Sequence, residues 1–186
     1  MRRLYLLARS KIPDLVALTA RQALRGPLGL PVREVHREIL WTIGHEARAE
    51  GDAALVDRLL HATTLLVNSA SWSSRWGVEI PPPLHGTGRM RALRVEVRER
   101  GGSAGARALK RLRAAYGFDE VISLDRSLLW TLHLPGEIDD DALEKIIERA
   151  VVTRGRAEGL LVNPHYQEHR VLDDRSAPGE ARVEAP

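Results

Sequence analysis

Apolar and polar positions along this chain follow a short programme that runs twice. Leu4–Arg9 alternates apolar and polar residues, and so does Leu93–Arg98; that period belongs to a half-buried strand. A helix is predicted from Pro13-Asp14, with aspartate accepting from free backbone N–H groups. Val16, Ala20, Ala23 and Leu24 form its apolar stripe, and Gly29 and Gly117 are the expected stops after the two first helices. Val32–Val35 and Leu40–Ile43 read as strands, as do Val121–Leu124 and Leu128–Leu132. The turns between them are short, which predicts an antiparallel pair in each half.

A second helix follows in each half. Asp139-Asp140-Asp141 places negative charge where a helix dipole favours it. Leu143, Ile146, Ile147, Ala150 and Val151 then give one helical face. The counterpart starts near Asp52 and carries Leu55, Leu59 and Leu60. Asn68 and Asn163 are expected to end this segment in a left-handed turn, and Pro164 forbids helix continuation. Trp72–Glu79 and Tyr166–Leu172 are the closing strands.

The repetition extends to residue identity. Arg37-Glu38-Ile39-Leu40-Trp41-Thr42-Ile43 returns as Arg126-Ser127-Leu128-Leu129-Trp130-Thr131-Leu132, and Leu65-Leu66-Val67-Asn68 as Leu160-Leu161-Val162-Asn163. Ala20 and Leu24 correspond to Ala108 and Leu112. The spacing grows only before the second asparagine block. An internal repeat of this kind constrains the fold first and points to a paired binding surface. Residues 1–79 are the first repeat, 80–90 a linker containing Pro81-Pro82-Pro83, and 91–174 the second repeat; 175–186 is expected to be a disordered tail.

With 186 residues there is enough chain for a real core. Cysteine is absent, which excludes disulfides and thiolate zinc sites and fits a reducing, cytoplasmic setting. No apolar run approaches the length of a membrane span. The net charge is only +3, with arginine carrying most of the positive side and lysine confined to Lys11, Lys110 and Lys145. No block of basic residues reads as a nucleic-acid arm.

Several local patterns invite chemistry. His165-Tyr166-Gln167-Glu168-His169 fits a zinc-protease signature, but that requires a helix. Here the segment leads into a strand, where histidines four apart lie roughly 13 Å from each other. Gly101-Gly102-Ser103-Ala104-Gly105 could offer N–H groups to an anion, yet it lacks the dinucleotide spacing. Trp41 and Trp130 on strands would suit base stacking only if exposed. Ile39–Ile43 is apolar on both parities, which favours packing. No serine–histidine–acid set is present, and no metal or cofactor is implied.

The order of these motifs resembles the PurS subunit of phosphoribosylformylglycinamidine synthase. Residues 93–172 carry the resemblance through Ala108-Leu109-Lys110-Arg111-Leu112, Gly117-Phe118-Asp119-Glu120-Val121 and Leu160-Leu161-Val162-Asn163-Pro164. Residues 4–79 carry it through Ala23-Leu24, Gly29-Leu30 and Leu65-Leu66-Val67-Asn68. The family's Gly-Lys turn in the first hairpin is absent from both halves. The resemblance implies an α+β fold of two ferredoxin-like βαββαβ units in tandem, a pseudo-dimer with antiparallel sheets. It implies a non-catalytic accessory subunit of purine biosynthesis, bridging the glutaminase and amidation subunits of that synthase. Arg37, Arg126, Asn163, Pro164, His165 and Tyr166 are the candidate partner contacts; homo-oligomerisation stays open, and neither membrane nor nucleic acid is expected as a partner. A stand-alone small-molecule sensor of the same fold, or an RNA-binding module, are the alternative readings.

Overall fold

A computed structural model describes residues 1–46, 51–83, 90–155 and 159–173. The predicted disordered tail at 175–186 and part of the predicted linker lie outside these residues. The elements are β1 (Arg2–Ser10), α1 (Leu15–Arg25), β2 (Glu34–His45), α2 (Gly51–Ala62), β3 (Trp72–Gly77), β4 (Met90–Glu99), α3 (Ala104–Tyr116), β5 (Val121–Pro135), α4 (Asp140–Ala150) and β6 (Gln167–Asp173). The fold is α+β: a six-stranded antiparallel sheet in the order β3-β1-β2-β5-β4-β6, with four helices.

Both halves run strand, helix, strand, helix, strand, and their ladders share one register. Leu7 faces Leu40 and Arg75 in the first half; Glu96 faces Leu129 and Arg170 in the second. The same positional equivalence therefore holds across all three strands of each half. Local signals explain the helix ends. Asp14 accepts from Val16 N–H and Ala17 N–H, and Asp139 accepts from Ala142 N–H. Gly117 closes α3 with φ of 68°. Gly29 is also left-handed, but α1 has already ended at Gly26.

The predicted pair of strands in the middle of each half is a single long strand. His36-Arg37-Glu38 and Asp125-Arg126-Ser127 contain no glycine, proline or asparagine, and no residue other than glycine has positive φ among the described residues. A tight hairpin needs such a conformation. Without it the backbone stays extended and completes its hydrogen bonds in the sheet.

This extension decides how the core is divided. One compact unit has its described residues within Met1–Ile12, Glu38–Pro81 and Gly101–Ser127. Its core packs Leu4, Leu6, Trp41, Ile43, Val56 and Leu59 against Leu112, Phe118 and Val121. The other unit has its described residues within Pro13–Arg37, Pro82–Arg100 and Leu128–Asp173. There Leu24, Val32 and Val35 pack with Val95, Trp130, Leu132, Leu134 and Ile146. Each unit thus takes its first helix, α3 or α1, from the opposite repeat. The repeats are units of sequence, whereas the hydrophobic cores are built from both.

Candidate functional site

Arg37 and Arg126 lie at equivalent points of β2 and β5, each over a buried tryptophan. Arg37 is 5.8 Å from the centre of the Trp130 ring, and Arg126 is 6.0 Å from that of Trp41. Arg37 is further held by Asp14, with Nε to Oδ2 at 2.9 Å. Asp14 therefore caps α1 and anchors an arginine at once. The equivalent cap, Ser103, is not an acid, and Arg126 remains exposed. Both tryptophans are buried in the cores beside the helices, so neither offers a stacking platform for bases.

Asn163 and its neighbours form a turn that the first half repeats. The Asn163 side chain accepts from His165 N–H at 3.1 Å, and its carbonyl accepts from Tyr166 and Gln167. Asn68 accepts from Ala70 N–H at 3.1 Å through its side chain, and from Ser71 and Trp72 through its carbonyl. Neither asparagine is left-handed, contrary to the sequence expectation. The side chain closes the turn itself. Pro164 is half-buried, while His165 and Tyr166 are exposed with rings 6.4 Å apart. His169 lies on β6, which supports the strand reading over a zinc helix. Among the described residues no group of three or more ligating side chains could hold a metal.

The alternation in β4 hides a second feature. Arg94, Glu96 and Arg98 occupy the parity opposite Leu93, Val95 and Val97, and a half-buried strand would leave them in water. Instead Glu96 is 1% exposed and Arg94 is also buried. Glu96 takes Arg98 and Arg170 at 2.8 Å each. Thr131, opposite Arg94 in the ladder, is buried with a hydroxyl that has no hydrogen-bond partner among the described residues. His133 is buried on the same strand, 5.3 Å from His36 ring to ring. The equivalent first-half positions are Tyr5, Leu7, Thr42 and Gly44, so the threonine is shared while the arginine, glutamate and histidine of this row belong to one repeat alone. Only the comparison of the two halves at matched register reveals it.

The outer faces of the equivalent helices α1 and α3 also differ. Aligning Ala20 with Ala108 and Leu24 with Leu112 sets Leu18 against Ala106, Thr19 against Arg107, Gln22 against Lys110 and Ala23 against Arg111. Leu15, Val16 and Leu18 on α1 are 73%, 50% and 43% exposed. On α3 the exposed side chains include Arg107, Lys110, Arg111, Arg113 and Tyr116, and neither helix contains an acid. Beside them lies a shallow depression of about 520 Å³ with an apolar lining that includes Ala106, Leu109 and Ala114.

No protein-family model matches this chain, and no curated protein matches it either. The residues themselves carry the functional argument. They supply two chemically distinct helix faces and one buried polar row. Among the described residues no helix is long and apolar enough to cross a membrane.

Proposed function

We propose that this chain is a non-catalytic accessory subunit resembling PurS, bridging the glutaminase and amidation subunits of phosphoribosylformylglycinamidine synthase. On this reading each compact unit is a ferredoxin-like variant, and the tandem is a homodimer fused into one chain. The observation that carries it is the divergence of two equivalent helices on a shared register: α1 exposes Leu15, Val16 and Leu18, and α3 adds Arg107, Lys110 and Arg111 where α1 has Thr19, Gln22 and Ala23. A homodimer presents the same face twice. A fused duplicate presents two unlike faces at fixed stoichiometry and high effective concentration, which is what joining two different proteins requires.

The test is reconstitution. The full chain, mixed with the glutaminase and amidation subunits of its source organism, should co-elute with both on size exclusion and raise glutamine-dependent amidation. Failure to co-elute with either subunit, with the chain folded, overturns the assignment.

The buried polar row favours a second reading, a small-molecule sensor. An unpaired buried hydroxyl at Thr131 beside Arg94 is costly unless something binds it. A thermal-shift screen with nucleotides, amino acids and purine intermediates distinguishes this reading, because a ligand of the native state raises Tm.

A further inference from the structure

Within the scaffold reading, we propose that the outer face of α3 docks an acidic, amphipathic segment of a partner protein. Helix α3 carries Arg107, Lys110, Arg111 and Arg113 and no acid. Arg107 and Lys110 are three residues apart, Arg107 and Arg111 four, and Lys110 and Arg113 three. Each such like-charge pair destabilises an isolated helix by about 0.2–0.5 kcal/mol. Arg107 also sits near the N-terminal end, where the helix dipole disfavours a cation. Arg113 is favoured by its place in the last turn, but no acid in the helix offsets the cost of Arg107, Lys110 and Arg111, and the core contacts through Ala108 and Leu112 do not require them.

The equivalent helix shows that the fold does without three of these four charges, Arg113 alone having a counterpart in Arg25. Thr19, Gln22 and Ala23 stand on α1 where α3 has Arg107, Lys110 and Arg111. Two of the α3 cations have local acceptors: Arg107 donates to the Ser103 hydroxyl, and Arg113 Nε donates to the Val121 carbonyl at 2.9 Å. Both acceptors are neutral, so the positive charge remains available to a partner.

The depression specifies the partner more closely. It is lined by Ala106, Leu109 and Ala114, with Lys110 and Arg113 among its walls and Asp119 as its acid. Small side chains leave room for one apolar residue, and the cations lie where flanking carboxylates would pair. An acidic segment with an interspersed leucine fits both features. Nucleic acid fits less well: the apolar lining of the depression offers nothing to a phosphate backbone, which is bound through cations. Both tryptophans that could stack bases are buried in the cores.

The experiment uses the full chain and a synthetic amphipathic peptide that places glutamate beside leucine at helical spacing. Controls are polyglutamate of equal charge and an oligodeoxythymidine of equal charge. Fluorescence anisotropy at moderate salt should show the leucine-bearing peptide binding about tenfold tighter than polyglutamate, the value expected of one buried apolar side chain. Lys110→Ala with Arg111→Ala should weaken peptide binding about tenfold, and Ala114→Glu, which places a carboxylate in the depression, should abolish it. All three positions are exposed, so circular dichroism should match wild type and Tm should not fall, rising slightly where like-charge pairs are removed. Zero-length carbodiimide coupling should join the peptide at Lys110 rather than at Lys11 or Lys145. Equal affinity of the variants, coupling spread evenly over the three lysines, or binding of the oligonucleotide in preference to the peptide overturns the proposal. None of these arms contains a synthase subunit. Peptide docking without co-elution with those subunits sinks the scaffold reading alone; co-elution that survives Ala114→Glu and the double alanine variant sinks the docking surface alone.

Discussion

The guanidinium of Arg37 stands 5.8 Å from the centre of the Trp130 ring, and these two residues come from opposite repeats. Arg126 over Trp41 is the same relationship with the repeats exchanged. Reciprocity of this kind follows from the long middle strands. Each carries its arginine in the unit that holds the other repeat's tryptophan. The arrangement is the intrachain equivalent of a domain swap, in which a hairpin opens and an element packs on a copy of its own fold. Arg37 and Arg126 are therefore built into the architecture, and a cation over a ring contributes about 0.5–1 kcal/mol at a partly exposed site.

The two tryptophans differ in one hydrogen bond, which sets a measurable asymmetry. Trp41 Nε1 donates to the Leu66 carbonyl at 3.0 Å, whereas Trp130 Nε1 is buried with no acceptor among the described residues. Trp41→Phe should cost about 1 kcal/mol more than Trp130→Phe, because it leaves a buried carbonyl unpaired while Trp130→Phe removes an unpaired donor. Urea denaturation of the two variants checks the order. Alanine at either position should cost about 3–5 kcal/mol through the cavity it opens.

Glu96 is the second test. Its carboxylate is held by Arg98 and Arg170 and is almost wholly buried. Glu96→Ala removes the carboxylate from two guanidinium groups that still reach solvent and should destabilise the chain by about 1.5–3 kcal/mol. Leucine occupies the equivalent position, Leu7, so Glu96→Leu combined with Arg170→Leu should lose clearly less than the two single changes together. A double-mutant cycle by equilibrium unfolding reads this coupling directly.

How much of this was legible from residues alone depends on whether a signal was local. Asp14, Asp139 and Gly117 act within one turn of the chain, and their roles as helix ends follow from side-chain chemistry. The alternation of Leu93, Val95 and Val97 located β4 correctly. It could not say that Arg94 and Glu96 on the opposite parity are buried, because burial there depends on residues distant in sequence. The continuity of β2 is readable in the missing turn residues at His36-Arg37-Glu38, but the short spacing between apolar runs also matches a hairpin, so the pattern alone does not decide. The exchange of α1 and α3 follows from that continuity, and no local pattern encodes it. The unlike helix faces were present in the sequence as Gln22 against Lys110 and Thr19 against Arg107; they gained meaning only once matched register showed the positions to be equivalent.

Asn68 and Asn163 should act on stability through their turns. Each side chain accepts one backbone N–H, from Ala70 or His165. Alanine at either position should cost about 1 kcal/mol, and aspartate, which keeps the acceptor, should restore most of it. Thermal melts of the four variants measure this. Similar losses at the two positions are expected, since the turns share their hydrogen-bond pattern; a loss confined to Asn163 would show that the second turn carries additional structural weight.

Gly105 tests how closely α3 approaches the sheet. A β-carbon built there would lie 2.0 Å from the Leu124 carbonyl oxygen, and that atom is backbone, which cannot turn aside. Ala17 is buried at the equivalent place on α1, so the close approach is peculiar to α3. Gly105→Ala should therefore force the helix outward and cost at least about 1–3 kcal/mol through overpacking, even though alanine is the better helix former. The reverse change, Ala17→Gly, relieves no clash and should cost about 1–2 kcal/mol, from helix propensity and the loss of a buried methyl. Chemical denaturation ranks the pair. Because the displacement would move α3 relative to Leu124, hydrogen exchange should also rise at Val121–Leu124 in Gly105→Ala and stay unchanged there in Ala17→Gly. Equal cost for the two substitutions, with no added exchange in β5, would show that α3 has slack against the strand and that glycine is not required at this contact.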